Sequence, residues 1–292
     1  TREESKLARR GNRGVLLVVP SLILIFMFLV FPFFYSLYYS VHQTYFFTVG
    51  RFSGLSNFIE VLGNLENIKS LGRTLVLTFS SAAITLVLGI LLALWVNKKT
   101  GITALVIQSI GLIPWVTSMV VGALLWRWIF IGDLGLFNCI VVLLGGTPIS
   151  LLSNAKNAMM SLIYVVSWRT IGYAMVLLLA GLKAIPEELY EASEIDGATK
   201  LQSLTYITLP LLRTSLLVTA IVLTLSNFNN MTVPMVLTGG GPGRSTNVIS
   251  MELYRQAFVY YDFGIASAMS SLVFFFNTAL VLLYVRLVKW SV

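Results

Sequence analysis

The stretch Ala184–Pro210, AIPEELYEASEIDGATKLQSLTYITLP, decides how the chain is read, because it is the one polar helix-forming segment of any length between apolar runs. Pro186 suits a first helical position, where its missing N–H costs nothing, and Glu187 and Glu188 bring negative charge to the positive end of the helix dipole. A helix is expected through Leu189, Ala192 and Ile195 to Gly197, a left-handed C-terminal stop. Thr199 with Gln202 three residues on is a capping-box signature for a second helix. Leu201, Leu204 and Ile207 continue an apolar stripe, and Pro210 marks a bend where the chain enters the next apolar run.

On either side the chain reads as an integral membrane protein. Of its 292 residues 57% are hydrophobic and 11% charged, against about 25% charged in soluble domains. A net charge of +8 could suggest nucleic acid, but the basic residues sit at the ends of apolar segments, as the positive-inside rule expects. One cysteine, Cys139, one histidine, His42, and no CxxC or HExxH spacing argue against a disulfide framework, a metal site or a metalloenzyme. Arg2, Lys6, Arg9, Arg10 and Arg13 precede an apolar run too long for a cleavable signal, which reads as a retained first span.

Six runs can cross a ~30 Å core, at about 15–39, 75–96, 102–129, 159–182, 211–236 and 264–287, giving an all-α protein of six transmembrane helices in one transmembrane domain, 1–292. With the N-terminus inside, twelve Lys and Arg fall on the cytoplasmic side and six outside, so both termini and the hairpin at 184–210 are expected in the cytoplasm. The outer connections at 40–74 and 133–156 are too short for domains. The first carries Phe52-Ser53-Gly54-Leu55-Ser56-Asn57-Phe58, a capped turn leading a short interfacial helix. The second reads as turns flanking short surface helices.

Polar groups inside the spans mark candidate sites. Pro114 should kink span three, and Trp126, Arg127 and Trp128 should anchor its outer end. Arg169, about ten residues into span four, must face a partner helix or a wet cavity, either as a functional group or as a clamp on backbone carbonyls or on a partner subunit. Asn227, Asn229 and Asn230 in span five are costly unless they meet each other, a neighbouring helix or a polar ligand; amides beside Phe228 suit an uncharged, hydroxyl-rich sugar. Asn227 and Asn230, three apart, would share a helix face. Gly239-Gly240-Gly241-Pro242-Gly243-Arg244 is not a phosphate loop, since Thr238 stands at the first required glycine and Arg244 at the lysine, so it reads as a turn. Ala266, Ala268 and Ser270 offer small surfaces for close helix packing. All twelve Asp and Glu lie outside the spans, which disfavours a proton- or sodium-driven transporter, and no cluster suits an embedded enzyme.

Glu191-Ala192-Ser193, Asp196-Gly197-Ala198 and, eight residues on, Ile207-Thr208-Leu209-Pro210 resemble the EAA loop of binding-protein-dependent ABC importer permeases, with Ser193 a small-for-small departure from the usual alanine. GLSNF resembles a stretch common in sugar-type permeases, and the FNN segment and the GGP turn are similar to those of the first, maltose/lactose-type membrane subunit of carbohydrate importers. The resemblance implies a type I importer permease fold in a prokaryotic inner membrane. It implies a non-catalytic subunit that forms the path of a sugar or oligosaccharide, paired with a second permease, two ATPase subunits and an extracytoplasmic solute-binding protein. ATP and Mg would be held by the ATPases, and no cofactor by this chain. Glu187, Glu191, Ala192, Asp196, Gly197, Ala198, Ile207, Leu209 and Pro210 would couple to the ATPase, with Glu191 and Asp196 capping the hairpin or pairing with ATPase cations and Gly197 allowing close approach. Arg169, Gly172, Tyr173, Asn227, Asn229 and Asn230 would line the pathway. A glycerol-phosphate or other polar cargo, with Arg169 as anion partner, and a secondary transporter are the alternatives.

Overall fold

The computed structural model describes residues 18–46 and 48–287. In chain order they form α1 (Val18–Ser40), strands β1 (His42–Tyr45) and β2 (Thr48–Phe52), α2 (Ser56–Gly63), α3 (Leu65–Asn97), α4 (Gly101–Val116), α5 (Met119–Phe130), α6 (Leu136–Leu143), α7 (Ala155–Lys183), α8 (Glu187–Ile195), α9 (Lys200–Phe228), α10 (Thr232–Leu237), α11 (Ile249–Phe258) and α12 (Phe263–Leu287). By length and composition α1, α3, α7, α9 and α12 can each cross a membrane, and α4 with α5 makes a sixth, broken one bent by 90°.

Three expectations are corrected. The run 102–129 is not one kinked span: the helix stops at Val116, where Thr117 turns extended and both its N–H and its Oγ1 donate to the Ile113 carbonyl at 3.0 and 2.7 Å. The run 211–236 ends at Phe228, because Asn229 turns its amide back onto the Leu225 carbonyl at 2.8 Å and Asn230 caps the separate helix α10 through Val233 N–H at 3.1 Å. Pro210 does not break the helix as the chain enters the apolar run. A proline lacks the N–H of its turn and its ring crowds the carbonyl four residues back, and here a π-turn, Leu204–Thr208, absorbs the misfit within a continuous α9. The same device, Phe26–Val30, precedes Pro32 in α1.

The described residues group into two compact units, one up to Asn64 together with Leu253–Phe275, the other Leu65–Glu252 with residues from Phe276 on. The core of the second is the packing of α3 on α7. The buried face of α3 is small and hydroxylic, with Ser70, Thr74, Thr78, Ser81, Thr85, Gly89 and Ala93 three or four residues apart, which lets backbones approach closely. Thr85 Oγ1 pairs with Thr170 Oγ1 at 3.0 Å, and a Cβ on Gly89 would lie 2.9 Å from that of Ala174. Larger apolar side chains fill the ends: Leu77, Leu162, Val166 and Leu237 at one, Val96, Leu178, Leu182 and Leu212 at the other.

Helix α3 begins ten residues before the predicted span. Its early polar turns hold the glycine-rich turn, in which Gly239, Gly240 and Gly243 have φ of 63°, 85° and 53°. Asn247 Nδ2 donates to Ser70 Oγ and Glu252 Oε2 at 3.3 and 2.9 Å, Thr74 Oγ1 accepts from Ile249 N–H at 2.9 Å, and Arg73 pairs with Glu66 at 2.6 Å. At 133–156 there is one short helix, α6, with Arg127 of α5 donating to the Val236 carbonyl at 3.2 Å.

In the first unit the antiparallel β1–β2 hairpin replaces part of the expected loop, and GLSNF forms the turn into α2 as read, with Gly54 at φ 58°. Asn57 Nδ2 donates to the carbonyls of Ser40 and His42, both at 2.9 Å. Asp262 caps α12 through Ile265 N–H at 2.9 Å and accepts from Thr44 Oγ1 at 3.2 Å. Gly264 is required there, since a Cβ would lie 2.7 Å from the His42 carbonyl oxygen. Ala266 and Ala268 are buried as expected, whereas Ser270 is exposed.

Candidate functional site

The hairpin forms as its capping residues dictate, one position adrift at the start: Pro186 is the N-cap and the helix begins at Glu187. Asp196 is the C-cap, Gly197 follows at φ 74°, and the capping box of Thr199 and Gln202 is complete. Its outward face carries the exposed acids Glu187, Glu191 and Asp196, with Ala192, Leu209 and Pro210 also exposed and Ala198 and Ile207 half-buried. Among these polar groups Ile195 and Leu201 stand 86% and 69% exposed, on either side of the Gly197 turn. Behind it a cavity of about 540 Å³ is bounded by Leu94 of α3, Lys98 in the turn that follows it, Leu182 of α7, and Tyr190, Glu194 and Lys200 of the hairpin. The structure therefore gathers the ends of α3 and α7 at the hairpin.

A second cluster lies at the break between α4 and α5. A helix that stops inside an apolar run leaves carbonyls without donors, and half-buried Arg169 supplies one: its Nη1 donates to the carbonyls of Pro114 at 3.1 Å and Thr117 at 2.8 Å. A cation at a helix C-terminus also complements the dipole. The clamp on carbonyls is thus the arrangement observed. One turn on, Gly172 lies so close to α4 that a Cβ would come within 1.7 Å of the Gly111 carbonyl oxygen. Tyr173 stacks on Trp115 with centroids 4.8 Å apart and planes 9° from parallel. Arg169, Gly172 and Tyr173 thus all engage the segment from Gly111 to Thr117.

The three asparagines do not act as a set. Asn227 is buried and donates to Ser81 Oγ of α3 at 2.9 Å, which makes it a joint between helices. Asn230 does not share its helical face, because the helix has already ended; it is buried as the cap of α10. Asn229 is exposed, and its Oδ1 accepts from Asn277 Nδ2 of α12 at 3.3 Å.

The family described as "binding-protein-dependent transport system inner membrane component" matches residues 85–291. The chain belongs to it. It is 34% identical over 282 residues to the trehalose/maltose transport system permease protein MalF of Thermococcus litoralis, covering 95% of this chain and 94% of that one. It is 30% identical over 279 residues to the sn-glycerol-3-phosphate transport system permease protein UgpA of Yersinia pestis, covering 95% and 94%. Its fold is that of a bacterial alginate ABC transporter solved in complex with an alginate pentasaccharide-bound periplasmic protein, with a TM-score of 0.84 at 22% identity over 97% of this chain and 96% of that one. The chain is a multi-pass permease of an ABC transport system.

Within this permease two groups escaped sequence reasoning. Asn277 lies in the apolar run FFFNTALVL, where a lone amide is itself a signal; its Oδ1 is shielded from solvent and has no hydrogen-bond partner among the described residues. The other is the set of hydroxyls between the hairpin arms. Ser193 Oγ lies 2.8 Å from Ser203 Oγ and Tyr190 OH 3.1 Å from Thr208 Oγ1.

Proposed function

We propose that this permease carries a neutral sugar or oligosaccharide and is driven by ATPase subunits that grip the Glu187–Pro210 hairpin from the cytoplasm. The observation that carries the coupling role is the pairing of Ile195 and Leu201, both largely exposed, around a turn that only a left-handed residue can make. Apolar side chains left bare on an otherwise acidic hairpin suit a partner cleft, with Glu191 and Asp196 meeting its cations. A second homologous permease would complete the pathway, and a solute-binding protein would deliver cargo from the other face of a prokaryotic inner membrane. Both termini would then be cytoplasmic. Closure of the ATPase pair on ATP would displace the hairpin and open the path outward, and hydrolysis would reverse it, the differential contact between states doing the coupling.

For the cargo, the exposed amide of Asn229, held by Asn277 Nδ2, offers the donor and acceptor that sugar hydroxyls need. Trp115 and Tyr173 supply an aromatic wall. Arg169 and Gly172 shape that wall, and Asn227 and Asn230 hold the helices behind it. The engagement of Arg169 with two carbonyls supports a neutral cargo over glycerol phosphate, because its charge already has partners. The test is the ATPase rate of the purified complex on addition of its binding protein loaded with candidate solutes. Stimulation by a neutral oligosaccharide supports the reading, stimulation by glycerol phosphate alone replaces the cargo, and failure of any ATPase to co-purify overturns the coupling role.

A further inference from the structure

We propose that the hairpin is held shut by a clasp of two hydroxyl pairs, Ser193–Ser203 and Tyr190–Thr208, and that Pro210 creates the second of them. The proposal rests on the coupling role inferred above. Ser193 is the one buried residue of α8, while Leu189 and Ile195 are exposed, so α8 fully buries no apolar side chain against the other arm. What joins them is Ser193 Oγ, which donates to the Tyr190 carbonyl and meets Ser203 Oγ, both at 2.8 Å, and Tyr190 OH, 3.1 Å from buried Thr208.

Ser203 and Thr208 are five residues apart, which in a regular α-helix would leave them roughly 140° apart around the axis. The π-turn Leu204–Thr208 removes that offset: Thr208 Oγ1 reaches the Ser203 carbonyl at 3.3 Å, and both hydroxyls face α8. The wide turn exists because Pro210 follows it. Beyond it α9 runs unbroken through the 20 residues Leu209–Phe228, about 30 Å at 1.5 Å per residue, to the Asn227–Ser81 joint. With the clasp closed, a displacement of α8 becomes a displacement of one rod that ends at the asparagines. With it open, α8 swings on the Gly197 turn and the rod stays behind.

The clasp is tested by its removal and its covalent replacement in the full complex. In Ser193→Ala the ratio of solute transported to ATP hydrolysed is expected to fall about fivefold, the equivalent of one net hydrogen bond of about 1 kcal/mol. Thr208→Val and Pro210→Ala should lower the same ratio. In a Cys139→Ser background the pair Ser193→Cys and Ser203→Cys should form a disulfide on mild oxidation, restore the ratio while oxidised and lose it again on reduction. An unchanged ratio in Ser193→Ala, failure of the disulfide to form, or a disulfide that blocks transport while ATPase activity persists would each overturn the clasp and leave the coupling role standing. A complex without ATPase activity would refute the coupling role itself.

Discussion

Replacing Gly172 by alanine adds one methyl group at the tightest contact between α7 and α4. The added carbon would lie 1.7 Å from the Gly111 carbonyl oxygen and 2.4 Å from its carbon. An ordinary carbon–oxygen contact is about 3.4 Å, and both partners are backbone, so no side chain can swing aside. The helices must part by well over an ångström, which breaks the Arg169 bonds at 2.8 and 3.1 Å and the Trp115–Tyr173 stack. Overpacking of about 1–3 kcal/mol, charged hydrogen bonds of about 1.5–3 kcal/mol and a stack of about 1 kcal/mol together predict a loss of about 3.5–7 kcal/mol. The assay is the thermal midpoint of the purified complex, with Gly72→Ala as control, since Gly72 is exposed and has no heavy atom within 4 Å of an added Cβ. Gly72→Ala should be neutral or slightly stabilising, as for any exposed helical glycine, and Gly172→Ala should be markedly less stable. Equal midpoints would refute the close approach of α4 and α7 and, with it, the account of Arg169.

Three further outcomes are expected. Arg169→Gln should leave the carbonyls at the α4–α5 break short of a charged donor, costing about 2 kcal/mol; cysteine labelling around Thr117 in native membranes should then rise, and unchanged labelling would show that Arg169 does not hold the break. Gly197→Val puts a β-branched residue where φ is 74°, a strain of about 1–2 kcal/mol; uptake should fall sharply with the amount of inserted protein unchanged on immunoblots, and normal uptake would remove the turn from the coupling role. Asn229→Ala should raise the half-saturating sugar concentration about fivefold, the worth of one hydrogen bond, with the effect in Asn277→Ala of similar size; curves overlapping that of the unaltered complex would exclude these amides from the pathway.

What was legible in the sequence is what short-range chemistry determines. The hairpin could be placed to within one residue because a glycine stop and a capping box are local signals. The spans could be placed because apolar length is a property of the run itself. The 90° break at Thr117 was not legible: only Pro114 hints at it, and Arg169, which sustains it, lies 52 residues along the chain from Thr117. The asparagines were misread as a pair on one face because the helix was carried past Phe228, where no proline or glycine marks its end; side-chain capping by Asn229 and Asn230 ends it instead. The strands β1 and β2 were not legible: His42–Tyr45 alternates between half-buried and exposed in the structure, as a strand should, but the residues His-Gln-Thr-Tyr carry no apolar alternation. Their place is fixed by Asp262 and Gly264, more than two hundred residues away, and no local pattern contains that contact.

The most direct measurement is uptake of a labelled neutral oligosaccharide into proteoliposomes that contain this permease with its partner subunits and loaded binding protein. ATP on the ATPase side, with no ion gradient, should drive accumulation, and Gly197→Val should abolish it. Accumulation that follows a proton or sodium gradient, needs no ATP and survives Gly197→Val would contradict the account.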